Sequence, residues 1–307
     1  MSFDRLHQLI RKTKNPTVAG LDARLEYIPP QLVKECMDKH GENLEGAAAA
    51  VLRYNMALLD ALQGIVPAVK PQAAYYELLG WPGVKAMHDT IQYAHDKGFY
   101  VIADVKRGDI GSTAQAYAEG WLGKSKVGEQ ALSAFDADCV TINGYMGSDA
   151  ILPFLDLAKE EDKGVFLLVK TSNPSSGELQ DMVAGDRQVY TVMADLCKRL
   201  GAGTEGECGY QTLGAVVGAT YPAELRELRR RMEKTFFLVP GYGAQGGTAQ
   251  DVAGAFDRYG WGAIINSSRG ILCAWQKAEN GAERFQDAAR AASEAMRDDI
   301  KKYVTIV

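Results

Sequence analysis

Along the chain, short and nearly continuous apolar runs alternate with longer segments of helical pattern. The runs fall at 17–22 (TVAGLD), 66–72, 99–105 (FYVIADV), 138–142 (DCVTI), 165–171 (VFLLVKT), 213–218 (LGAVVG), 235–240 (TFFLVP) and 262–267 (GAIINS). Apolar runs without polar alternation predict parallel strands buried on both faces. Between them the pattern predicts helices near 46–63, 83–97, 113–122, 148–160, 187–200, 222–233, 248–258 and 279–303. Several begin at start signals, among them Ser112-Thr113, Pro222 and Thr248.

Eight strands, each followed by a helix, predict an α/β fold of the (β/α)8 TIM-barrel kind with extended βα loops. A doubly wound sheet of eight strands would give the same string. No linker or low-complexity tract divides the chain, so 1–307 reads as one barrel domain with an N-terminal helix. Insertions stand near 24–45 and 173–186, on the face where barrel enzymes keep their chemistry.

Composition narrows the partners. With 47% hydrophobic residues the chain is not disordered, and a net charge of −5 leaves no basic excess for nucleic acid or an anionic membrane. The expected partner is a small molecule. Five scattered cysteines without CxxC spacing predict reduced thiols, with neither a disulfide framework nor a zinc site. The N-terminus MSFDRLHQLIRK is too charged for a secretory signal, and no apolar run of about 18 residues could span a bilayer. The expectation is a soluble, cytoplasmic protein.

The candidate chemistry gathers at strand ends. In 104–112 (DVKRGDIGS), strand alternation turns Asp104 and Lys106 the same way, with Asp109 following in the loop. Lys70 closes the second strand and Asp22 the first. Charges at the mouth of buried strands must be paired or serve chemistry, and a lysine among carboxylates stays protonated. Such an ammonium can donate a proton to carbon.

The string DVKRGDI, with Lys70 upstream in VKPQAAYYE, resembles the orotidine 5′-phosphate decarboxylases, most closely their longer bacterial type. The likeness continues in order through DCVTINGYMG, KTSNPSSG, GAVVGAT, LVPGYGAQGG and NSSRGI. It implies a cofactor-free, metal-free decarboxylation of orotidine monophosphate to uridine monophosphate by a homodimer with shared active sites. Lys106 would protonate C6, Asp104 would sit beside the departing carboxylate, and Lys70 would hold Asp104 and the ribose hydroxyls. Asp109 would reach the partner subunit's site. Asp22 and Thr113 match ribose contacts, Ser172 a pyrimidine contact and Gln245 a phosphate contact, with 240–248 closing as a lid. Ala23 and Gly144 stand where the family often has proline.

The loop GYGAQG at 241–246 satisfies a dinucleotide-binding pattern. It follows the seventh strand rather than the first, and no Asp or Glu occurs from 258 to 278 to hold a ribose. In a barrel the loops after strands 7 and 8 commonly bind phosphate instead. Gly246 and Gly247 would open the seventh helix toward the anion, and Arg269 could grip it with two hydrogen bonds. Gly123-Lys124-Ser125, reminiscent of a P-loop end, reads as helix surface. The competing reading is a metal-dependent sugar-phosphate decarboxylase or aldolase on a related barrel.

Overall fold

A computed structural model describes residues 2–22 and 24–307, so Ala23 lies outside the described residues. Eight parallel strands run in chain order around a closed barrel. They are β1 (Thr17–Leu21), β2 (Ala68–Pro71), β3 (Tyr100–Arg107), β4 (Cys139–Ile142), β5 (Gly164–Lys170), β6 (Leu213–Val217), β7 (Phe237–Val239) and β8 (Ala263–Ser267). The last strand pairs with the first, Ile265 opposite Thr17, and that seam excludes the open doubly wound sheet. Every residue of β1, β2, β4, β6, β7 and β8 is buried, which is why their sequences lack polar alternation.

The N-terminal helix (Ser2–Thr13) plugs one end. Phe3 sets its ring 5.1 Å from both Phe166, near the start of β5, and Phe236, just before β7. Arg5 pairs with Asp138 immediately before β4, and His95 lies 3.1 Å from the same carboxylate. Aromatic packing and ion pairs therefore close the strands' N-terminal end, leaving the opposite mouth for the βα loops.

The insertions carry structure of their own. Residues 24–45 hold a 3-10 turn (Leu25–Tyr27) and a helix (Pro30–His40). Residues 173–186 hold a 3-10 turn, a helical turn (Gly177–Gln180) and the first strand of a small hairpin, Val183–Ala184 against Arg187–Gln188. Two expectations fail locally. The helix expected over 248–258 is only a turn, Ala249–Val252, followed by a 3-10 turn at Ala253–Ala255. Gly254 packs there so closely that a Cβ would lie 2.4 Å from Arg226 Cγ, and glycine is a poor helix former. Nor is Gly123-Lys124-Ser125 helix surface: Gly123 ends the helix Gly111–Leu122, and Ser125 opens a hairpin with Gln130–Leu132.

Candidate active site

Strand β3 does not run regularly into its end. Ala103 faces Val140, but the next pair is Arg107 with Ile142, so β3 takes four steps where β4 takes two. Lys106 sits inside this bulge at φ +47, a left-handed conformation uncommon for a residue with a Cβ. Its backbone N–H donates to Thr141 Oγ1 at 3.0 Å, which helps hold the strained turn. Asp104 and Lys106 do meet as alternation predicts, yet through a kinked backbone.

Asp104 is the hub, and all its contacts are donors. One carboxylate oxygen accepts from Lys70 Nζ at 2.7 Å and Gln72 Nε2 at 2.9 Å. The other accepts from Lys106 Nζ at 2.6 Å and Thr141 Oγ1 at 2.9 Å. Burial alone would raise its pKa, but the charges of Lys70 and then Lys106 hold it well below the usual carboxylate range. Lys70 mirrors this: burial would lower its pKa, and Asp104 with Asp22 holds it above the ordinary lysine value. The buried lysine of the set is therefore Lys70. Lys106 keeps 45% of its side chain exposed, facing the mouth.

Asp22 lies 3.9 Å from the Lys70 ammonium, outside hydrogen-bond range. Its Oδ1 is buried and without a hydrogen-bond donor, as is Asn266 Oδ1 across the β1–β8 seam. A buried acceptor without a donor is costly, and both residues line the cavity. The Lys70 ammonium occupies the space between Asp22 and Asp104 where a shared metal ion would have to sit. Among the described residues no His, Cys, Asp and Glu cluster of three is grouped to hold one.

These residues line a cavity of about 450 Å3 in which Asp22, Lys70, Asp104 and Lys106 share a wall with Gln245 and Arg269. Three loops meet at the end of the cavity that Gln245 and Arg269 line. Arg269 donates to Ala244 O at 3.0 Å, and Ser172 Oγ donates to Gln245 Oε1 at 2.7 Å, drawing the β5, β7 and β8 loops together. Gly246 is at φ +99, and a Cβ on Gly247 would lie 2.8 Å from the Gly241 carbonyl, so both positions require glycine. Their N–H groups donate to Gly243 O and Gly241 O, which corrects the expectation that they face an anion. The helix start behind them is likewise occupied, by the Thr248–Asp251 capping box, which places an acid there.

The other expected residues lie apart. Asp109 and Thr113 are not on the cavity wall; Asp109 accepts from its neighbour Ile110 N–H, and Thr113 is exposed in the first turn of Gly111–Leu122. Ser172 reaches the cavity only through Gln245. Sequence reasoning missed Thr141, Gln72, Arg24, Tyr27, Tyr75 and Asn266, all on the wall. Gln72 and Thr141 had one legible signal, their place at the ends of strands beside those carrying the charges.

The model of the orotidine 5′-phosphate decarboxylase / HUMPS family matches residues 47–284. An orotidine 5′-phosphate decarboxylase of Rhodopirellula baltica is 41% identical over 97% of this chain and 98% of its own. One from Clostridium kluyveri is 40% identical over 98% of each. The chain belongs to this family. Solved structures agree with the decarboxylase assignment: OMP decarboxylase of Leishmania donovani aligns at TM-score 0.69 and 30% identity over 95% of this chain and 98% of that one. UMP synthase of the same organism aligns at TM-score 0.76 and 31% identity over 98% of this chain and 56% of its own. The decarboxylase family model begins after β1, so Asp22 lies outside the residues it matches.

Proposed function

We propose that this chain decarboxylates orotidine 5′-phosphate to UMP, a step of pyrimidine biosynthesis, with Lys106 delivering the proton to C6. The observation that carries the residue assignment is the Asp104 carboxylate held between the Lys70 and Lys106 ammonium groups inside a cavity that Arg269 also lines. As the C6–carboxylate bond breaks, CO2 leaves and the electron pair stays on C6. The Lys106 ammonium stabilises that pair and then donates its proton, forming C6–H and leaving a neutral amine that water reprotonates. Asp104 opposes the substrate carboxylate more than the transition state in which that charge departs.

The remaining roles follow the cavity. Asp22 and Lys70 take ribose hydroxyls, for which Asp22 Oδ1, without a hydrogen-bond donor, is a ready acceptor. Arg269 and Gln245 take the phosphate, with Gly246 and Gly247 shaping the loop around it. Ser172, off the wall but bonded to Gln245, takes the pyrimidine, and residues 240–248 close over the whole. We assign 1–307 to one barrel domain, nearly all its described buried apolar residues forming one cluster from Phe3 to Ile306.

Asp109 and Thr113 serve the site of a partner subunit in a homodimer. Their loop packs on the one after β4, since a Cβ on Gly108 would lie 2.7 Å from Asn143 O. Around it Ile110, Met146 and Tyr145, the last 77% exposed, form an apolar rim suited to a second copy. A cytoplasmic location fits the five free thiols. The alternative, a metal-dependent sugar-phosphate enzyme, is disfavoured by Lys70 filling the space between the acids. The test is absorbance-monitored turnover of orotidine monophosphate with and without chelator. Chelator-insensitive turnover that falls at least about a thousandfold in folded Lys106→Ala supports the reading. Retained turnover in that variant would refute it.

A further inference from the structure

Lys170, the last residue of β5, has no exposed surface, and no step above uses it. A register break decides its direction. Leu168 pairs with Val216, and the next pair is Lys170 with Val217, so β5 takes two steps where β6 takes one. Regular alternation would turn Lys170 into the cavity beside Leu168; instead Leu168 and Thr171 are on the wall and Lys170 is not. Its ammonium donates to Asp181 Oδ1 at 2.5 Å and lies 4.6 and 5.4 Å from the ring centres of Tyr221 and Tyr190.

Asp181 belongs to the insertion after β5, and further bonds tie that segment down. Thr171 N–H and Oγ1 both meet the Gln180 amide, at 2.9 and 2.7 Å. The Tyr221 hydroxyl accepts from Ser176 at 3.3 Å and donates to Asn173 O at 3.4 Å, while Thr220 donates to Ser172 O at 3.2 Å. Ser172 emerges from this frame with its hydroxyl on Gln245. Only the lysine of this pair is buried, and an ion pair with one exposed partner stabilises little. What it supplies here is direction, fixing Asp181 at one point behind the serine.

We propose that Lys170 is a positioning residue for the decarboxylation: through Asp181 it pins 171–181 so that Ser172, bonded to Gln245, is held at the pyrimidine. This rests on the assignment of Ser172 to the pyrimidine. The test compares wild type with Lys170→Met, Asp181→Asn, Ser172→Ala and Lys170→Met/Ser172→Ala, by steady-state kinetics and amide hydrogen exchange.

Both single frame variants should keep native circular dichroism, exchange faster at 171–181 but not in the barrel strands, and raise KM at least about tenfold. Lys170→Met should cost less than about a further twofold in kcat/KM once Ser172 is alanine. Loss of general stability alone would lower kcat with the active fraction and leave KM unchanged. Unaltered exchange and KM in the frame variants would overturn the inference. So would losses that multiply in the double variant while Ser172→Ala is itself defective, leaving the pyrimidine assignment intact. Ser172→Ala with wild-type kcat/KM would refute that assignment and the inference together. Should Lys170→Met not fold, Asp181→Asn, altered at a partly exposed carboxylate, carries the same comparison with Asp181→Asn/Ser172→Ala.

Discussion

At Lys106 the backbone and the side chain make opposite demands. The amine must reach Asp104, and the bulge that brings it there holds the residue at φ +47. Glycine tolerates that geometry and alanine does not, so Lys106→Gly should be more stable than Lys106→Ala by about 1 kcal/mol, the reverse of the usual order in a strand. Urea unfolding of the two variants measures this. The Asp104 pKa is depressed, so its contribution is present above the ordinary carboxylate range and is lost as pH falls through the folded value. The Lys70 pKa is raised, so its share is present below the ordinary lysine value and lost only as pH rises through the folded one. Asp104→Asn, which strips Lys70 of its nearest counter-charge, should therefore cost roughly 3–5 kcal/mol, constant from about pH 5 to pH 9 and shrinking below about pH 4. A difference that grew with acid would contradict the pairing. At this scale Asp22, Lys70, Asp104 and Lys106 were legible because charge inside an apolar run needs a reason. The bulge was not, since neither glycine nor proline marks it, and Thr141 looks like any strand threonine.

Among the elements, the loop from Pro240 to Thr248 shows what short-range pattern can and cannot convey. Its glycines announced a turn, and Gly246 and Gly247 are needed there for backbone reasons. The pattern did not reveal that their N–H groups are spent within the loop, because hydrogen-bond partners depend on how the loop closes. On the proposed reading Arg269 is left as the main cation for phosphate, and Arg269→Ala should lower kcat/KM at least about a hundredfold with little change in melting temperature. Thr248→Ala, which breaks the capping box, should instead cost about 1 kcal/mol of stability, read by thermal unfolding. The eight strands were legible as apolar runs to within two residues at each end. The hairpin after Gly123 was not, as its exposed three-residue strands leave no burial pattern to read.

The whole molecule adds a requirement that no single strand shows. If Asp109 completes a partner's site, mixing inactive Asp109→Ala and Lys106→Ala subunits should restore turnover, since a mixed dimer contains one intact site. Random exchange puts about half the chains in such dimers, so recovery should approach about a quarter of the wild-type rate. No recovery despite subunit exchange, followed by native mass spectrometry, would count against shared sites. Closure of the barrel was legible only as a count of strands. The joining of Thr17 to Ile265 confirms it and has a consequence in time. Asp22 is among the first parts of the pocket to leave the ribosome, and Arg269 the last. A nascent chain that has not yet emerged through β8 has neither a sealed cylinder nor a grip on phosphate, so catalysis should begin only near the end of translation.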